Sequence, residues 1–133
     1  MTKVNQGSKF DYTTIKTFDD ACAKLGINPE SLPVVENLPD EFKKPVVAGY
    51  KLMVIFKAIN DVWTPDWSDS DQYKYYPWFR VLPSGSGFSD SAFFCANART
   101  VVGSRLCTSS SEKSMYIART FEQEYKDYFL IEQ

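Results

Sequence analysis

The sequence contains no histidine. That absence removes the commonest general base and the commonest metal ligand at neutral pH. No Ser-His-Asp or Cys-His arrangement can be assembled within the chain. Cysteine is scarce: Cys22, Cys95 and Cys107 are an odd number at wide spacing, with no C-x-x-C pair. A zinc site would have to be built from thiolates and carboxylates alone, so neither a metal nor a cofactor is expected. The three cysteines read as free, buried thiols in a reducing compartment. Glycine is sparse as well. No Gly-x-x-x-x-Gly-Lys occurs, which excludes a P-loop, and Gly85-Ser86-Gly87 lacks the third glycine of a dinucleotide fingerprint.

Long apolar runs are missing too. The longest lies around Leu52 to Phe56, too short to cross a bilayer. The opening residues, MTKVNQGSKF, lack the apolar stretch of a secretory signal. A cytoplasmic protein with no membrane contact is expected. Neither sign of charge dominates: 15 basic residues stand against 17 acidic ones, and the two halves of the chain are equally balanced. Tight duplex binding concentrates basic charge on one face, and nothing in the composition supplies such a face.

Aromatic residues are what the chain has in excess, at 16 %. All three tryptophans and three of the eight tyrosines fall between Trp63 and Arg80, in Trp63-Thr64-Pro65-Asp66-Trp67 and Gln72-Tyr73-Lys74-Tyr75-Tyr76-Pro77-Trp78-Phe79-Arg80. Such density serves either a folding nucleus or a contact surface.

Around this segment the sequence reads as helix, helix, sheet, helix. Residues 1–16 are polar with isolated apolar positions and are expected to form an arm outside a single domain at 17–133. Thr17 can cap a first helix whose stripe is Phe18, Ala21, Cys22 and Leu25, and Gly26 stops it. Pro29, Pro33 and Pro39 mark a linker. A second helix runs from a cap at Asp40 to Asn60-Asp61; it is apolar around most of its circumference and is expected to be central. Lys74 to Leu82 reads as a strand with Pro77 on an edge or at a bulge. Pro83 to Gly87 is a turn signal, Phe88 to Val102 a second strand region and Ser104 to Thr108 a third. Ser109 with Glu112 forms a capping box for a last helix with a stripe of Ile117, Ala118, Phe121, Tyr125, Tyr128 and Phe129. The expected fold is α+β: two N-terminal helices, a small antiparallel sheet of about three strands, and a C-terminal helix packed on it.

Three function classes fit these residues. A protein-binding surface would use Trp63, Trp67, Tyr75, Trp78 and Arg80, since Trp, Tyr and Arg dominate contact energetics. A single-stranded nucleic-acid surface would use Tyr75 and Trp78 for stacking, with Lys74, Arg80 and Arg105 for phosphates. A glycan hydrolase would need two of Asp61, Asp66, Asp69 and Asp71 facing each other across a cleft. Those four acids read first as turn formers in a solvated loop, and the hydrolase reading is the lesser one. With no catalytic set in view, a non-enzymatic binding protein is the leading expectation.

The blocks Tyr50-Lys51-Leu52-Met53, Ala58-Ile59-Asn60, Trp63-Thr64-Pro65-Asp66-Trp67, Tyr73-Lys74-Tyr75-Tyr76-Pro77-Trp78-Phe79, Gly103-Ser104-Arg105-Leu106-Cys107 and Tyr125-Lys126-Asp127-Tyr128-Phe129 resemble a family of small hypothetical proteins of gut Bacteroidales and their phages and prophages. The similarity covers residues 17–130. The chain departs from the family pattern at Val62, where a glycine is expected, and at Thr108, where an aromatic is expected. The family has no established activity, so the resemblance carries no site residue. It implies a mobile-element product made inside a bacterial cell.

Overall fold

The computed structural model describes residues 10–132. Four helices and one two-stranded sheet follow in the order α1 (Phe18–Leu25), α2 (Asp40–Asn60), β1 (Lys74–Val81), β2 (Phe88–Ala96), α3 (Ser111–Thr120) and α4 (Glu122–Phe129). Short 3-10 turns at Tyr12–Thr14 and Ser104–Leu106 complete the order. The α+β class and the helix-sheet-helix sequence are as expected. Of the arm expected at residues 1–16, residues 1–9 lie outside the described range. Residues 10–16 are seated on the body: Ile15 is buried in the core, and the Tyr116 hydroxyl donates to the carbonyls of Thr13 and Ile15 at 3.1 and 2.7 Å.

Local chemistry sets the first helix. The Thr17 hydroxyl accepts from the Asp20 N–H at 3.0 Å, which satisfies one of the free donors of the first turn. Gly26 ends the helix at φ 72°, a left-handed conformation that a Cβ disfavours. The Ile27 N–H then returns to the Cys22 carbonyl at 2.9 Å, the closing bond of a Schellman motif.

The second helix is the centre of the molecule. Leu52, Ile55, Phe56, Ala58 and Ile59 are fully inaccessible on it, and it packs against both α1 and α4. A helix apolar on most sides needs neighbours on most sides, so α2 collects the rest of the fold around itself. Asp40 is its first residue; Pro39 takes the cap position and offers no side-chain acceptor. Pro45 lies in the second turn, which leaves the Glu41 carbonyl without its helical donor. Asn60 and Asp61 end the helix, the latter with φ 56°. The Asp61 carboxylate is held by Lys24 at 2.6 Å, which ties the end of α2 to α1.

Three expectations are corrected. The sheet has two strands, not three. Gly103 adopts φ 78° and residues 104–106 wind into a 3-10 turn, so the third segment keeps a single contact: Thr108 exchanges both backbone hydrogen bonds with Tyr75, at 2.8 and 2.9 Å. The C-terminal helix is two helices. Phe121, at φ −114° and ψ 33°, leaves helical geometry and inserts its ring into the core. The cap of α3 is Ser110 rather than Ser109: its hydroxyl accepts from the Lys113 N–H at 3.1 Å.

Beside the packing of the hairpin on α3 and α4, one buried side chain links α2 to the 107–108 segment that pairs with β1. Asn60 donates from Nδ2 to the Cys107 carbonyl at 2.9 Å, and its Oδ1 accepts from the Thr108 hydroxyl at 2.5 Å. Removing the carboxamide strands two buried polar groups, each costing about 1–3 kcal/mol. Asn60→Ala is therefore expected to lower unfolding stability by about 2–4 kcal/mol, measured by urea denaturation. A loss below about 0.5 kcal/mol would show that this junction is not what fastens the sheet.

Candidate functional site

The hairpin register divides its side chains. Lys74, Tyr76, Trp78 and Arg80 share one face with Ala96, Phe94, Ala92 and Asp90, while Tyr75, Pro77 and Phe79 share the other with Cys95, Phe93 and Ser91. The second face meets the helices: α3 packs against both strands, and Phe79 lies 4.9 Å from Tyr125 of α4 and stacks on Phe88 at 4.2 Å, centroid to centroid. The first face is outer. Its Tyr76 and Trp78 rings flank Phe94 at 6.2 and 5.9 Å, and the Arg80 guanidinium lies 5.9 Å from the Trp78 ring centre. Phe94 is half exposed. A cation over an indole face is held by the ring quadrupole, so Arg80 and Trp78 present one composite surface.

Pro77 fits this hairpin without loss. The Tyr75 N–H and C=O point away from β2, toward Thr108, and alternation directs Pro77 the same way. Its missing donor therefore falls on the outer edge of β1 and removes no bond of the ladder.

At the base of the outer face, Lys74 is turned inward and is 1 % exposed. Its ammonium donates to the Asp69 carbonyl at 3.0 Å and to the Asn97 carbonyl at 2.6 Å, and the Trp67 ring lies over it at 5.0 Å. The Trp67 indole N–H donates to the Ser104 hydroxyl at 2.7 Å. Loop 61–73, the end of β2 and the 104–106 turn are thus stitched together around one cation. Burial of an ammonium is costly unless its donors are satisfied, and carbonyl oxygens rather than a carboxylate do this here.

The seven residues expected to form a contact surface therefore separate. Trp78 and Arg80 lie together on the outer face. Tyr75 is on the opposite face, against Phe93 at 5.8 Å. Lys74 and Trp67 meet each other inside the clamp. Trp63 is half-buried in the loop, and Arg105 is exposed on the 104–106 turn. Tyr76 and Phe94 join the face without having been singled out. Phe94 reaches Trp78 only through the hairpin register, which the Pro83 to Gly87 turn signal marks without specifying.

The loop acids make turns. Asp66 accepts from the Ser68 N–H and hydroxyl at 3.0 and 2.6 Å, and these bonds hold its carboxyl below the usual carboxylate range. Asp69 accepts from the Asp71 N–H at 2.9 Å, and Asp61 is paired with Lys24. Two surface grooves, one at Lys43, Lys51 and Asp127 and one at Met115, Tyr116 and Arg119, include none of the four acids. Among the described residues no group of three or more metal-ligating side chains occurs, and no helix is long and apolar enough to cross a membrane.

Of the cysteines, Cys22 and Cys107 are buried as expected, but Cys95 is exposed on β2. Burial raises the Cys22 thiol and pushes Cys107 up to about 11. Comparison with known protein families, with characterised proteins and with solved structures finds no match to this chain.

Two outcomes follow from these positions. Trp67→Ala should destabilise the fold by about 3 kcal/mol, because it uncovers Lys74 and leaves a cavity. Trp78→Ala, on the face turned away from the helices and holding no buried charge, should cost about 1 kcal/mol. Equal losses in thermal denaturation would contradict the division into clamp and surface. The buried thiol of Cys107 favours its protonated form, so its contribution is intact below the ordinary value of 9.0 and declines as pH rises toward about 11. Burial raises the Tyr125 hydroxyl as well, and its effect has the same sign. The melting temperature should fall between those two pH values, and less steeply in Cys107→Ala.

Proposed function

We propose that this chain is a non-enzymatic binding module, and that the outer face of its hairpin, Tyr76, Trp78 and Phe94 with Arg80 at the rim, receives a protein partner. The observation that carries the reading is a row of three aromatic rings in mutual contact on the face turned away from the helices, half-buried Tyr76 and Trp78 on either side of exposed Phe94. Rigid aromatics lose little side-chain entropy on binding and supply large contact area. The resemblance to phage and prophage proteins supports a role in a mobile element's contact with its bacterial host.

Charge favours a protein over a nucleic acid. Arg80 is the one exposed cation on the strand pair, and it stands opposite Asp90 in the register. Lys74 has both its carbonyl partners inside the clamp. Backbone phosphates need unopposed cations along the stacking row.

The test compares the wild type with Trp78→Ala/Phe94→Ala, a pair whose circular dichroism should be unchanged. Immobilised wild type should retain a host protein that the double variant loses by at least tenfold. Intrinsic fluorescence should not respond to single-stranded DNA or RNA oligonucleotides. Salt-sensitive quenching by either would overturn the protein reading in favour of nucleic acid, and equal retention by both proteins would remove the outer face from the contact.

A further inference from the structure

Among the described residues the long edge of β2 has no neighbouring strand. β2 pairs with β1 through Asp90, Ala92, Phe94 and Ala96, the partners of Arg80, Trp78, Tyr76 and Lys74. Alternation therefore directs the backbone groups of Ser91, Phe93 and Cys95 outward. Among the described residues no strand lies along that side. The Ser91 N–H is bonded to the adjacent Asp90 carboxylate at 2.8 Å; among the described residues the Phe93 and Cys95 N–H groups have no acceptor. Phe93, Phe94 and Cys95 are all exposed.

Exposed edges are ordinarily blunted by lysine, proline, a bulge or a covering element. This one carries neither lysine nor proline, and Asp90 is its single charge. The one irregularity, between Arg80 and Val81, leaves Ser89 as an extra residue and confines the bulge to one end. The regular stretch is Asp90–Ala96, and its midpoint is Phe93.

We propose that this edge pairs with a second copy of itself, antiparallel, about a two-fold axis at Phe93. Phe93 is an outward-bonding residue, so an axis there creates a hydrogen-bonded pair of Phe93 with its own equivalent, and the whole regular stretch is used. Each remaining pair is complementary. Ser91 meets Cys95 of the second copy, Ala92 meets Phe94, and Asp90 meets Ala96. Large side chains lie beside small ones, and the acid faces no like charge. Shifting the axis by two residues, to Ser91 or Cys95, shortens the paired stretch. The Asp90 carboxylate releases the Ser91 N–H to the incoming strand. An isologous contact of this kind closes at two chains, and it yields a four-stranded sheet on which both Tyr76–Phe94–Trp78 rows share one side. The pairing stands on the edge geometry and does not depend on the partner proposed for the outer face.

The test is the molar mass of the full chain in solution at about 100 µM, a concentration that populates contacts of micromolar affinity, by sedimentation equilibrium. The wild type should have twice the chain mass. Phe93→Lys, which puts a charge on the axis, should be a monomer or weaken association at least tenfold, with unchanged circular dichroism. In Ser91→Cys, the introduced thiol faces Cys95 of the second copy, and mild oxidation should give a covalent dimer that Ser91→Cys/Cys95→Ser does not. A monomeric wild type would overturn the proposal. So would a dimer that forms no disulfide in Ser91→Cys, whether or not Phe93→Lys folds.

Discussion

The carboxamide of Asn60 is a buried polar link between two parts of the molecule. On one side is α2, the apolar helix around which α1 and α4 are gathered. On the other is the hairpin, which reaches the helices through Tyr75, then Thr108, then Asn60. A two-stranded sheet is marginal by itself. This one is kept in place because its first strand is bonded to a segment that α2 holds by two buried hydrogen bonds. The aromatic packing of Phe79 and Phe88 against Tyr125 then adds apolar burial to an orientation the polar junction has set.

The Lys74 clamp is the second constraint, and it changes the meaning of the aromatic segment. Trp67, Lys74 and Ser104 form a closed set in which an indole covers an ammonium and a hydroxyl receives the indole N–H. Half of the tryptophan-rich region is thereby structural. Tyr76, Trp78 and Phe94 lie together on the outer face, set there by the same ladder that gives β2 its outer edge. The outer face and the outer edge of β2 thus belong to one small hairpin.

How far each element could be read depended on the range of its interactions. Helix α1 was legible from end to end, because Thr17 and Gly26 act within one turn. The break at Phe121 was not, because the apolar stripe continues through it from Ile117 to Tyr125 and only packing pulls the ring out of register. The third strand was lost to Gly103 and the 104–106 turn, where β-like composition met a left-handed backbone position. The inward turn of Lys74 was hidden because its acceptors are main-chain carbonyls 5 and 23 residues away, which no side-chain pattern announces.

By itself the sequence determined the α+β order, the central place of α2, the two helix termini with local caps and the lack of any histidine-based chemistry. These follow from periodicity, turn residues and composition, which act over a few positions and survive any arrangement of the whole. Only the tertiary structure decided which tryptophan lies over Lys74 and which lies on the outer face, and which edge of the hairpin has no strand beside it among the described residues. Strand register and the burial of Lys74 are set by groups far apart in the chain, and the side on which each aromatic lies changes with a one-residue slip.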